Sequence, residues 1–244
     1  MQLNRQNSTI SVVNKGLLAL PERLSVRVAA YDSCSGVEFA LVPPYAETLS
    51  SVPANAVQHL PAKLNAPPAA SLGSVVLYRI RATSADGNVA STTDYLLSTL
   101  NPDVAQNLTS LAAARYNSES CGGLIQLEPN VTARADGVDR FGRRIVVLNV
   151  TLRNPGPAVA VGVTLSLRCP ATAVVAETGF VDDRVLPQWA GDGLFHLLRG
   201  EMRNVSIEAT LSVGPATPLP DLFVVISGWN VRRLNVSVTV PVYL

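Results

Sequence analysis

IVVLNVTLR, running from Ile145 to Arg153, decides how the rest of this 244-residue chain is read. With side chains alternating every second residue, Val146, Leu148, Val150 and Leu152 share one face, and Val147, Asn149, Thr151 and Arg153 share the other. The first set predicts a core face and the second a largely polar one, which is the signature of a half-buried strand. Working outward, the same alternation predicts strands at residues 125–134, 161–168, 185–186, 194–197, 205–211, 223–226 and 234–240. A separate block upstream predicts strands at 9–13, 24–30, 37–42, 56–60, 75–82 and 90–97. Periodicity fails between these blocks, at 99–123, apart from a possible short helix at 108–116.

All-β sandwiches take about 100 residues each. The expected architecture is therefore all-β, two tandem immunoglobulin-like β-sandwiches: residues 1–99, a linker at 100–122, and residues 123–244. Composition agrees, because 48% of residues are hydrophobic and 15% charged, enough apolar material for two packed cores. The 17 Pro and 16 Gly are scattered as turn punctuation, at Asn14-Lys15-Gly16, at residues 32–36 and at Asp86-Gly87. The Ala/Pro-rich run 61–70 reads as a long loop.

A net charge of +1 gives no long-range field for nucleic acid or an anionic membrane surface, so neither is expected as a partner. The one basic cluster, RADGVDRFGRR at 134–144, has its arginines split by Asp136 and Asp139 and reads as a charged hairpin turn. No run approaches the ~18 apolar residues of a membrane span, and MQLNRQNSTI lacks the apolar stretch of a signal peptide. A secreted protein would not be expected to start with this segment.

Cys34, Cys121 and Cys169 make an odd count without zinc-site spacing, so at least one thiol stays outside any intrachain pair. Cys34 and Cys121 both lie in turn-like contexts, DSCSG and SESCGG, where a bridge between the halves is one arrangement. Trp189 follows Cys121 and Cys169 rather than falling between them, which excludes the antibody-type pattern.

No catalytic constellation is legible. His59 and His196 are isolated in strand patterns and read as packed or surface residues. Asp182-Asp183 lacks the further oxygen ligands a calcium loop needs. No nucleophile elbow or phosphate loop is present, and the glutamates sit singly, so no catalytic residue, metal or cofactor is expected. Six N-x-S/T triplets, at Asn7, Asn107, Asn130, Asn149, Asn204 and Asn235, are candidate N-glycosylation acceptors. Trp189, beside Gln188, Gly191, Asp192 and Gly193, reads as a flexible polar loop able to reach a neighbouring domain or ligand, whereas Trp229 in ISGWNV reads as core.

Three segments carry a family resemblance: VTLRNPGP at 150–157, VLPQWAGDGLFHLLRGEMRNVSIEATL at 185–211, and VISGWNV at 225–231. They resemble the C-terminal region of family 2 glycoside hydrolases, in the branch of exo-β-D-glucosaminidases and β-mannosidases. There the middle segment runs from a V-L-P strand end through a Trp-bearing loop with Asp-Asn and an aromatic to a Leu-Pro-Gly-Glu turn. Here these elements read Asp192-Gly193-Leu194-Phe195 and Leu198-Arg199-Gly200-Glu201. The first half resembles the preceding sandwich of the same enzymes through ISVVN at 10–14 and YLLS at 95–98.

The resemblance implies a non-catalytic accessory region that supports a (β/α)₈ barrel, carried in another domain or subunit, acting on β-glucosaminides or β-mannosides. The paired carboxylates of glycoside hydrolysis belong to that barrel. Trp189, Asp192 and Phe195 are its candidate interface or ligand residues. The implied location is secreted or lysosomal/vacuolar, with carbohydrate as a further possible partner. The competing reading is a stand-alone carbohydrate-binding or adhesion module.

Overall fold

The computed structural model describes residues 1–4, 8–20, 23–64, 75–98, 123–169, 185, 188–211 and 221–241. Every regular element among them is a β-strand, and all strand pairs are antiparallel. The chain divides into two compact units, Met1–Ala112 and Ala113–Leu244. The expected linker and its helix at 108–116 lie outside the described residues.

In the first unit, β1 (Gln2–Asn4), β2 (Thr9–Asn14) and β6 (Ala56–Lys63) form a three-stranded sheet. The facing sheet runs β4 (Glu38–Phe39), β3 (Leu24–Asp32), β7 (Val75–Thr83), β8 (Val89–Ser98), with β5 (Tyr45–Leu49) also paired to β3. Alternate residues of β3 (Leu24, Val26, Val28, Ala30) and β7 (Val76, Tyr78, Ile80, Ala82) meet Ile10, Val12 and Leu60 in one buried core. Burial pushes the Tyr78 phenol up to about 12. The Tyr45 phenol also rises to about 12, through burial first and the charge of Glu47 second. Tyr95 on β8 accepts the Leu3 N–H at 2.8 Å, tying the N-terminal strand to the opposite sheet.

The second unit pairs β9 (Glu128–Val138), β10 (Arg144–Arg153), β14 (Met202–Leu211) and β12 (Gln188–Ala190) in the order β12-β14-β10-β9. Its other sheet runs β13 (Phe195–Leu197), β11 (Ala160–Arg168), β15 (Leu222–Ser227), β16 (Leu234–Val238). Val146, Leu148, Val150 and Leu152 are buried, as the alternation in IVVLNVTLR requires, and face Val163, Leu167, Val224 and Ile226 across the core. The charged hairpin lies where expected: Asp139 accepts the backbone N–H groups of Phe141 (2.8 Å) and Arg143 (2.9 Å) and pairs with the Arg143 side chain.

Several expected boundaries move. The strand at 37–42 shrinks to Glu38–Phe39, and Tyr45–Leu49, unmarked by pattern, forms β5 after the turn containing Pro43 and Pro44. Pro is excluded from central ladders because it cannot donate, so the chain leaves β3 and rejoins it. Residues 61–63 of the expected loop continue β6, where Pro61 occupies an exposed position. Val185 is buried outside any strand, and the second short strand begins at Phe195, with Leu194 exposed before it.

Candidate functional site

Trp189 is not in a flexible loop. It sits at the centre of β12, an edge strand paired to β14 with Gln188 opposite Ala209, Trp189 opposite Glu208 and Ala190 opposite Ile207. Three anchors hold the strand. Gln188 Oε1 accepts the Leu167 N–H at 2.7 Å, Gln188 Nε2 donates back to the Leu167 carbonyl at 3.4 Å, and the Gly191 N–H donates to Ser206 at 2.8 Å. Gln188 thus imitates a strand backbone and bridges to β11 of the other sheet. The strand period turns Trp189 outward, where it is 59% exposed. It begins a row across the sheet that continues through Glu208, Val147 and Arg134.

Asp192 and Phe195 do come together, through Arg203. The Arg203 Nε donates to Asp192 Oδ2 at 2.8 Å, and its guanidinium lies 4.9 Å from the Phe195 ring centroid. Phe195 is itself buried in the core, so it holds Arg203 in place rather than offering a surface.

The remaining motif residues form a buried polar clamp. Asn154, just past β10, is fully buried; its Nδ2 donates to the Ala158 (2.8 Å) and Leu197 (3.0 Å) carbonyls, and its Oδ1 accepts the Gly156 N–H at 3.0 Å. Its backbone N–H donates to Glu201 (3.0 Å) and its carbonyl accepts from Gly200 (2.7 Å). The Glu201 carboxylate folds back to accept the Leu198 N–H at 2.7 Å. Asn230 does the same work for the third segment: Nδ2 donates to Val159 at 2.7 Å, and Oδ1 accepts the Val161 N–H at 2.8 Å. Buried amides satisfied in this way lock loops that lack a ladder of their own. The first two resembling segments therefore meet at Asn154, and the third, through Asn230, holds Val159 and Val161 just beyond the first.

Trp229, expected in the core, is only half-buried in the turn after β15. Its ring lies against Gly162, whose positive φ of 64° and missing Cβ make room; a Cβ there would sit 3.2 Å from the indole. His196 is buried, and its Nδ1 accepts the Gly162 N–H at 3.2 Å. His59 is exposed on β6 and shares a 2.7 Å hydrogen bond with Ser11.

Among the described residues, no group of three or more His, Cys, Asp or Glu side chains could hold a metal ion. Asp182 and Asp183 lie outside them. Cys34 is disulfide-bonded; Cys121 lies outside the described residues. Cys169 packs half-buried beside the second core.

Asn7 and Asn107 also fall outside the described residues, while Asn130, Asn149, Asn204 and Asn235 are all exposed on strands. Three of these acceptors share one sheet face. Asn130 and Asn204 both lie opposite Thr151, and Thr132 and Ser206 both lie opposite Asn149, so the triplets interleave as a checkerboard. The Thr151 hydroxyl donates to Asn204 Oδ1 at 2.7 Å. A polar strand face built from Asn and Thr or Ser at two-residue spacing spells N-x-S/T by geometry alone.

No known family profile and no curated protein matches the chain by sequence. Among solved structures, the chain is similar to the exo-chitosanase CsxA of Amycolatopsis orientalis, with a TM-score of 0.66 and 20% identity over 97% of this chain. A complex of CsxA, described as an exo-β-D-glucosaminidase bound by castanospermine-type and australine-type inhibitors, matches at 19% identity with the same TM-score and coverage. At this identity the likeness is one of fold. This chain spans 26% of the length of CsxA.

Proposed function

We propose that this chain is the non-catalytic β-sandwich region of a family 2 glycoside hydrolase of the exo-β-glucosaminidase or β-mannosidase type. Its role is to support a (β/α)₈ barrel carried outside this sequence, with Trp189 as a contact toward that barrel or its carbohydrate. The observation that carries the reading is that Asn154 of the first resembling segment clamps the second at Leu197, Gly200 and Glu201, while Asn230 of the third clamps Val159 and Val161 just beyond the first. A fold match over 97% of the chain supports it. The disulfide at Cys34 suits an oxidising compartment, consistent with a secreted or lysosomal/vacuolar enzyme whose exposed sequons would be open to glycosylation.

Expression of the gene with its upstream coding sequence tests the reading. The extended product should hydrolyse an aryl β-glucosaminide or β-mannoside, and the 244-residue chain should not. Turnover by the short chain that tracks its peak through repurification would overturn the proposal, as would an upstream region encoding no barrel. The exposed Trp189 beside Glu208 favours, as a second reading, a stand-alone carbohydrate-binding module. That reading requires the chain alone to retain a glycan and Trp189→Ala to release it.

A further inference from the structure

The outer face of the β3–β7 sheet carries an arrangement that stability alone does not explain. Arg27 on β3 lies directly opposite Arg81 on β7. Side chains so paired have Cβ atoms about 4.5–5.5 Å apart, and like charges there are destabilising. Neither guanidinium has an ion pair or side-chain hydrogen bond among the described residues, and both are exposed. Arg79, two residues along on the same face, is different. It is 3% exposed and makes a two-pronged ion pair with Asp94, both contacts at 2.8 Å, so its charge is already matched.

The surrounding backbone makes this cationic pair one end of a cavity. β3 pairs with β5 as far as Val28–Tyr45 and with β4 from Ala30–Phe39 onward, leaving a gap in its edge at Ala29. The small side chain of Ala29, opposite Arg79, lies in a cavity of about 470 Å³ lined by Arg27, Arg81, Tyr31, Pro44, Ala46 and Glu38. That volume falls within the roughly 300–1,000 Å³ of small-molecule sites. Glu38, the single carboxylate of the lining, stands opposite Tyr31, two strand steps of about 6.7 Å each beyond Arg27. The cavity is therefore polarised, with two unmatched guanidiniums at one end and an acid at the other.

We infer that this cavity is an oxyanion site: Arg27 and Arg81 grip a carboxylate, sulfate or phosphate group of a small ligand, whose remaining polar groups lie toward Tyr31 and Glu38. Guanidinium forks bind such groups through paired, charge-assisted hydrogen bonds. An anion between them also cancels their mutual repulsion. The site stands independently of the glycosidase reading.

The test is titration of the ¹⁵N-labelled full chain with sulfate, phosphate, glucuronate and, as the uncharged control, glucose. Saturable shifts at the Ala29, Tyr31 and Ala46 amides are expected for at least one anion and not for glucose. The anion bound most tightly identifies the source: a bare tetrahedral ion, or a carboxylated sugar. Arg27→Gln and Arg81→Gln should each weaken binding about tenfold or more, whereas Glu38→Gln should tighten it by removing the opposing charge. Without anion, Arg27→Gln should melt no lower than the parent, since it relieves a like-charge pair, and added anion should raise the parent's Tm but not the variant's. Shifts that do not saturate with any anion, an equal response to glucose, or affinity unchanged in both arginine variants would overturn the site.

Discussion

The two units place the same device at the same kind of position and support it differently. At the end of β2, Asn14 Nδ2 donates to the carbonyls of Leu18, Val52 and Pro53, while its Oδ1 accepts the Gly16 N–H. After β10, Asn154 donates to the carbonyls of Ala158 and Leu197 and accepts from Gly156. In both, an Asn-x-Gly closes its own turn at the residue two ahead, then reaches the residue four ahead and a distant segment. In the second unit the Glu201 and Gly200 backbone and the Asn230 clamp are added. In the first, the clamped turn presents Leu17 and Leu18 to solvent at 88% and 81% exposure. A strand end can thus be held by one buried amide, and further buried amides determine how firmly the surrounding loops follow.

The units also differ in what they bury beside the core, and the largest expected effect lies there. Asp94→Ala in the first unit removes the two-pronged carboxylate partner of the buried Arg79 charge and should cost about 3–5 kcal/mol in denaturant melts. A loss below about 1 kcal/mol would mean that the pair is solvated in solution. Next come the clamps. Asn154→Ala leaves two buried carbonyls and an N–H without partners, an expected loss of about 3 kcal/mol. Asn14→Ala, with two of its acceptors closer to the surface, should cost about 2 kcal/mol. Equal or inverted losses would break the comparison.

The tryptophans sharpen it at smaller scale. Trp229→Ala should cost about 2 kcal/mol, less than a fully buried ring, because only one face packs on Gly162. Trp189→Ala should stay within about 0.5 kcal/mol. If Trp189→Ala destabilises as much as Trp229→Ala, then β12 depends on its indole and the role as a contact surface fails.

The smallest effect is in pH. Tyr45 and Tyr78, both raised to about 12 from 10.0, bind protons in the folded first unit that the unfolded chain has already lost. Their contribution is fully present below pH 10 and declines as pH rises toward 12. Asp139, in the second unit's hairpin, shows the opposite dependence. Desolvation would raise its pKa, but hydrogen bonds from Arg143 and Phe141 together hold it below the usual 3.8. Its contribution is present above that value and fades as pH falls through the lowered pKa. Alkaline melts should therefore weaken the first unit first; loss of the second unit ahead of it above pH 10 would contradict the assignment.

The legible part of the fold was the part with a period. IVVLNVTLR fixed its own core face because Val146, Leu148, Val150 and Leu152 needed only the pleat. Tyr45–Leu49 was missed because YAETL alternates weakly and follows two prolines, and its place beside β3 depends on a partner distant in sequence. Among the candidate site residues, Asp192 and Phe195 could be named but their meeting through Arg203 could not, since nothing in the local sequence encodes an approach across a strand turn.

What the sequence by itself determined was strand character, the two blocks and the polarity of each strand face, all local consequences of alternation and turn chemistry. Tertiary structure decided the register, and with it the rest. Pairing to β14 turned Trp189 outward on an edge strand, the antiparallel offset interleaved three sequons on one face, and β3–β7 pairing set Arg27 against Arg81. Because a slip of one residue exchanges the two faces of a strand, these juxtapositions exist only once the buried faces have chosen their partners.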